Sequence, residues 1–327
     1  RISSMSDLES VELHADWGQN KAQFVQSVVR AGVLAQPTYW YSAAGRAWVG
    51  VWHFTGKDLA PSDPIQETTL FTLADDVTGE TAFRVYNTTA DELQMGVTMN
   101  LDIAKDGVSP TARLLYFESV VVAIADCKVV VECRIWDGET DIQLMTVRAT
   151  YSFFPLADYA RRVKKAHRGV PPPPLQASAP VPSGLPEGDL RPLDRAMSFI
   201  PSGHFTHKTG AVDEQARSLA LMLDFGSNIS GPPGYVHGGI IGTVLANASQ
   251  LLLAKSTGLG AHIVNAPARK VSYLRGLPAE AKDAVIEARV DSADRSRIVI
   301  LARLLRQGIE HTTLTTTYTL APSASKL

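Results

Sequence analysis

The stretch YVHGGIIGTVLAN, residues 235–247, sets one histidine and two glycines at the mouth of an apolar run. If that run is a helix, its first amides have no intrahelical acceptors and carry the positive end of the helix dipole. Glycine has no side chain to hold an approaching oxygen away from the backbone, so Gly238 and Gly239 would offer those amides bare. His237, just ahead of them, is placed to orient a ligand or to cap the helix. Such a cluster polarises an electron-rich oxygen, but moving a proton needs a base, and the run contains no acid. The same residues also admit a purely architectural account, in which the glycines permit close packing of helix on sheet and His237 is a satisfied cap.

The elements that would position these residues occur twice along the chain. RAWVGVWHFTGKD overlays RSLALMLDFGSN, with Arg46 on Arg217 and Phe54 on Phe225, an offset of 171. Carried forward, that offset places Gln66 on His237, Thr72 on Thr243 and Asp75 on Ala246. Further on, MTVRATYSF overlays TTLTTTYTL, with Tyr151 on Tyr318 at an offset of 167. Each half reads as a strand, a loop, one long helix and then several strands rich in Val, Ile and Thr with alternating polarity. The helices are expected in IQETTLFTLADDVTGETAFRVY and VHGGIIGTVLANASQLLLAKST. A long antiparallel sheet must cover its apolar face, and one helix per half is available for that. Residues 166–201 are rich in Pro, Gly and Ser, with four consecutive prolines, and read as a linker. The expected organisation is a domain over 5–165, that linker, a second domain over 202–321 and a tail over 322–327.

A sheet around one helix that opens with Val-His-Gly-Gly resembles the hotdog-fold thioesterases. Two copies on one chain are similar to the double-hotdog acyl-CoA thioesterases. The resemblance covers most of residues 40–155 and 215–321. It implies an α+β fold of two tandem hotdog domains, each a long antiparallel sheet wrapped around a central helix. It also implies an acyl-CoA or related thioester as substrate, and hydrolysis as the reaction, with no cofactor. In that family the water-activating acid lies nine residues after the histidine, on the same helix. Here that position is Ala246, whereas nine residues after Gln66 stands Asp75. Paired hotdogs set the glycine of one copy opposite the acid of the other, so the resemblance implies one composite site of His237, Gly238, Gly239 and Asp75. Its counterpart, Gln66-Glu67-Thr68 with Ala246, lacks both glycines and acid. A shift of one residue would make Asp76 the base, and a solvated acid or local cap is the alternative for Asp75.

Supporting roles follow from the same resemblance. Thr98 would hold the water, or be a plain strand threonine. Asn228 would address the thioester carbonyl, although GPPG intervenes before HGG. Arg269, Lys270 and Arg275 would meet coenzyme A phosphates, or form a solvated strand end. The double-hotdog enoyl-CoA hydratases resemble APSDPIQ in their Asp-x-Asn-Pro-x-His signature, but Pro61 and Gln66 replace its acid and base. A non-hydrolytic acyl-binding or biosynthetic tailoring protein is the other alternative.

Composition narrows the partners. A net charge of −2 with both signs scattered gives no attraction for nucleic acid or anionic lipid. No apolar stretch reaches the ~20 residues of a membrane span. His204 and His207 lack companion ligands, so no metal is expected. Cys127 and Cys133 are too far apart on an extended segment to form a disulfide and read as reduced thiols. Arg1 to Ser4, ahead of Met5, are expected to be a cloning remnant. The final Ser325-Lys326-Leu327 matches the address read by the peroxisomal import receptor, so a peroxisomal location is expected, with the cytoplasm as alternative. The sequence leaves the oligomeric state open, with a homo-oligomer paired through sheet edges or helices, as is common among double hotdogs, as one outcome.

Overall fold

The computed structural model describes residues 9–11, 38–42, 46–54, 67–86, 92–103, 113–155, 157–158, 205–213, 217–226, 229, 231, 234–256, 263 and 267–321. The Pro-rich segment, the C-terminal tail, Asn228, Gln66, His204 and the stretch APSDPIQ lie outside them.

Alternating sequence becomes sheet. In the strand Ser218–Phe225, Leu219, Leu221, Leu223 and Phe225 are buried while their neighbours are half-exposed, the period of two that covers one sheet face. Thirteen strands are described: β1 Glu9–Val11, β2 Thr38–Ser42, β3 Ala47–His53, β4 Glu92–Ile103, β5 Leu114–Ala125, β6 Lys128–Asp137, β7 Gln143–Pro155, β8 Phe205–Asp213, β9 Ser218–Phe225, β10 Ala268–Tyr273, β11 Ala284–Ala293, β12 Arg297–Arg306 and β13 Ile309–Thr319. They form a single sheet in the order β1-β2-β3-β5-β6-β7-β4-β10-β13-β12-β11-β9-β8. Leaving β1 aside, that order has the same topology read inward from either edge. The halves join where β4 runs antiparallel to β10, with Met99 opposite Val271 and Leu101 opposite Arg269. Arg46 and Arg217, matched at the offset of 171, both take a left-handed φ of 48° immediately before β3 and β9.

Two long helices lie on the buried face of the sheet. Helix α1, Glu67–Tyr86, packs on β3 to β7, and α2, Gly238–Lys255, on β9 and β11 to β13. The second helix begins two residues later than VHGG suggested, because the backbone of Val236 is still bonded to Leu277 O at 2.9 Å. Residues Gly239 to Ser249 of α2 are all buried, as befits a helix enclosed by both sheet and neighbour. Buried hydroxyls on the helices bond back to their own turns, Thr78 to Ala74 O at 2.6 Å and Ser249 to Leu245 O at 3.0 Å, so they add no unsatisfied groups. Cys127 lies in the turn before β6 and Cys133 within that strand, both unpaired. Burial pushes the Cys133 thiol far above its ordinary pKa, so it is an inert core residue.

The helices run in opposite directions and touch near their first halves. Thr72 Oγ1 and Thr243 Oγ1 share a hydrogen bond of 2.7 Å. A β-carbon at Gly239 would lie 2.7 Å from Thr72 Cα, and one at Gly242 would collide with the ring of Phe71, which is fully buried. Small residues on α2 therefore set the spacing of the two helices. Gly242→Ala is expected to lower unfolding free energy by about 1–3 kcal/mol through overpacking, although alanine is the better helix former by about 1 kcal/mol. Phe71→Leu made with it should recover part of the loss. Urea denaturation checks this, and equal stability of wild type and Gly242→Ala would contradict the crossing described.

Candidate active site

The crossing delivers a carboxylate to a helix terminus. Asp75, on the third turn of α1, points at the start of α2, where its Oδ2 accepts the Gly239 N–H at 2.6 Å. Its Oδ1 accepts the hydroxyl of Tyr151, on β7, at 3.1 Å. That hydroxyl also shares a 2.7 Å bond with Thr78 Oγ1. Each carboxylate oxygen has a second lone pair, so two anchored bonds leave room for a water or substrate proton. The group is only 9% exposed. Burial raises its pKa above the ordinary carboxylate value, and the charge of His237, the Gly239 amide and the Tyr151 hydroxyl oppose that rise.

His237 is the N-cap of α2, and its Nδ1 lies 3.1 Å from Gly239 N. It also lies 3.4 Å from Asp75 Oδ2, while its Nε2 is 3.8 Å from Asp76 Oδ1, an ion-pair rather than a hydrogen-bond distance. Burial works to lower the imidazole pKa, but interaction with Asp76 and the charge of Asp75 outweigh it, and the net shift is upward. One amide hydrogen cannot serve two acceptors equally, and the shorter bond, to the carboxylate, takes it. A protonated His237 then sits between two carboxylates. A neutral one leaves Nδ1 as the second, weaker acceptor of the Gly239 N–H.

Not all of the anticipated residues come together. Asp75, His237, Gly238 and Gly239 meet. Thr98 alternates with the buried Met99 and Leu101, so its side chain is on the opposite face of the sheet from the helices. A bulge between Gly96 and Thr98 shifts the register with β7, and one residue of register inverts the facing of a strand residue. Arg269 and Lys270 likewise point to opposite faces. Arg269 is 2% exposed on the inner face, which rules out a solvated strand end, while Lys270 and Arg275 are on the surface. At the positions 171 beyond Asp75 and Asp76 stand Ala246 and Asn247, both buried. Sequence reasoning missed Asp76 as a partner of His237, and it used Tyr151 only to align the halves. Tyr273, on β10 beside Gly238, was passed over among basic neighbours. Its alternation with Val271 was the available signal. Among the described residues no cluster of three or more metal-ligating side chains forms. A cleft of about 350 Å³ lined by Val51, Leu114, Tyr116, Asp137, Gly138 and Asp141 contains no residue of this site.

Comparison with solved structures places the fold. The chain is similar to the tesB protein MAP1729c of Mycobacterium avium subspecies paratuberculosis, with TM-score 0.57 and 13% identity over 91% of this chain and 99% of that one. It is similar also to the acyl-CoA thioesterase II TesB2 of Mycobacterium marinum, with TM-score 0.53 and 12% identity over 92% and 99% of the two chains. At such identities the likeness is one of fold: the chain has the architecture of TesB-type acyl-CoA thioesterases along nearly its whole length. No protein-family model matches the sequence. No curated protein matches it either.

The hydroxyl of Tyr151 stabilises the charged form of Asp75, so its removal must raise the pKa of that carboxyl. In Tyr151→Phe the Asp75 titration, followed by carbon NMR of labelled aspartate carboxyls, is expected to move to higher pH. An unchanged or lowered midpoint would show that the hydroxyl does not bind the carboxylate.

Proposed function

We propose that the protein hydrolyses acyl-CoA thioesters at a single composite site formed by Asp75 of α1 and the N-terminus of α2. The observation that carries this reading is the carboxylate seated on the Gly239 amide at 2.6 Å, in a chain that shares its fold with acyl-CoA thioesterases. In this account the two halves are two hotdog units, and neither has a complete site without the other.

The substrate carbonyl lies against the bare start of α2, where an amide and the helix dipole stabilise the negative oxygen of the tetrahedral intermediate. Asp75 accepts a proton from a water whose oxygen bonds to the carbonyl carbon. The raised pKa of a buried carboxyl makes Asp75 a stronger base than an exposed one, which suits this transfer. When the intermediate collapses, the carbon–sulfur bond breaks and the thiolate takes up the proton, giving carboxylic acid and thiol. His237 holds Asp75 in place and balances its charge. The counterpart carries Ala246 and Asn247 where Asp75 and Asp76 stand, and does no chemistry.

Thiol release from a panel of acyl-CoAs of graded chain length tests the reading. Wild type is expected to turn over at least one of them, and Asp75→Asn to lose on the order of a hundredfold or more in kcat, the typical worth of a general base. Ala246→Asp is expected to leave the rate within about twofold. Activity that survives Asp75→Asn would overturn the assignment, and acyl-CoA binding without any turnover would favour an acyl-binding role.

A further inference from the structure

The amide at Gly239 is already engaged by Asp75 and faces His237 as well. An oxyanion at this helix start therefore needs other donors, and the Gly238 N–H, at the first helical position, is one that helix geometry leaves without an intrahelical acceptor. Tyr273 stands on the other side of the same glycine. A β-carbon at Gly238 would lie 3.0 Å from Asp75 Oδ2 and 3.2 and 3.3 Å from Cε1 and Cζ of Tyr273. With no side chain on Gly238, the carboxylate and the hydroxyl end of the phenol ring both close on the same glycine.

The Tyr273 hydroxyl is buried and has no hydrogen-bond partner among the described residues. A buried hydroxyl without a protein partner costs stability unless a water or a ligand accepts from it. Tyr151, by contrast, spends its hydroxyl on Asp75 and Thr78. Burial and the negative charge of Asp75 both raise the pKa of Tyr273, which keeps the phenol protonated and so a donor. Its ring shares the inner face of β10 with Val271, and the strand comes from the same half as α2.

We propose that Tyr273 is a catalytic residue, its hydroxyl donating to the carbonyl oxygen of a bound acyl thioester and forming the oxyanion hole together with the Gly238 amide. This rests on the thioesterase reading above. The carbonyl oxygen would lie against the Gly238 N–H and the Tyr273 hydroxyl, its carbon turned toward a water on Asp75. As charge develops on that oxygen, both hydrogen bonds strengthen, and no proton need leave the phenol.

Tyr273→Phe tests this, because it keeps the ring against Gly238 and removes only the donor. Two measurements are made on the full-length protein. In steady-state hydrolysis of the best acyl-CoA, Tyr273→Phe is expected to lower kcat on the order of a hundredfold, with KM little changed and a melting temperature equal to or above wild type. In the Asp75→Asn background, isotope-edited infrared spectra of the bound, carbonyl-labelled acyl-CoA are expected to show a carbonyl stretch at lower frequency with Tyr273 than with Phe. A kcat within twofold of wild type overturns the proposal while leaving the hydrolase reading intact. A large loss of kcat with an unchanged carbonyl stretch also overturns it, since Tyr273 would then act on the water or on Asp75. If wild type binds acyl-CoA but hydrolyses none, the hydrolase reading fails and the catalytic role with it. The infrared comparison then still decides whether Tyr273 polarises the carbonyl.

Discussion

The bond from the Gly239 amide to the Asp75 carboxylate, 2.6 Å long, links residues 164 positions apart and gathers the chemically competent groups of the candidate site. It exists because α1 and α2 approach to backbone contact, and they do so because positions 239 and 242 carry no side chains. The glycines thus act twice. They set the helix spacing, which is the architectural account of them, and through that spacing they bring a base to a helix terminus. The two accounts are consecutive steps of one cause.

The charge arrangement follows from burial. Asp75 and Asp76 lie beside one imidazole, and both ring nitrogens face a carboxylate. Two adjacent negative charges without a cation would repel. His237 relieves this, and its own pKa rises as a result. At the positions matched in the other half the pair is Ala246 and Asn247, which need no such compensation. The structure is therefore nearly symmetric in strand order and strongly asymmetric in chemistry.

Much of this was legible in the sequence, and the failures have physical reasons. Whereas the approach of Asp75 to the start of α2 is implied by the resemblance to paired hotdogs, the strand alternation and both helices could be read from apolar periodicity and the offset of 171, because core packing imposes both. The facing of Thr98 could not, since a bulge of one residue after Gly96 changes which side chains point inward. Arg269 reads as a surface cation by residue type, yet its place between Leu101 and Thr316 on the inner face buries it. Tyr151 and Tyr273 look like ordinary strand aromatics. What distinguishes them is the position of a single hydroxyl relative to Asp75, which depends on how the sheet sits over the helices and not on any local pattern.

The most direct measurement is a crystal structure of Asp75→Asn with an acyl-CoA bound. The account predicts the carbonyl oxygen within hydrogen-bonding distance of the Gly238 amide, with the side chain at position 75 facing the carbonyl carbon. An acyl group seated beside Ala246, or in the cleft bordered by Tyr116 and Asp141, with the start of α2 vacant, would contradict it.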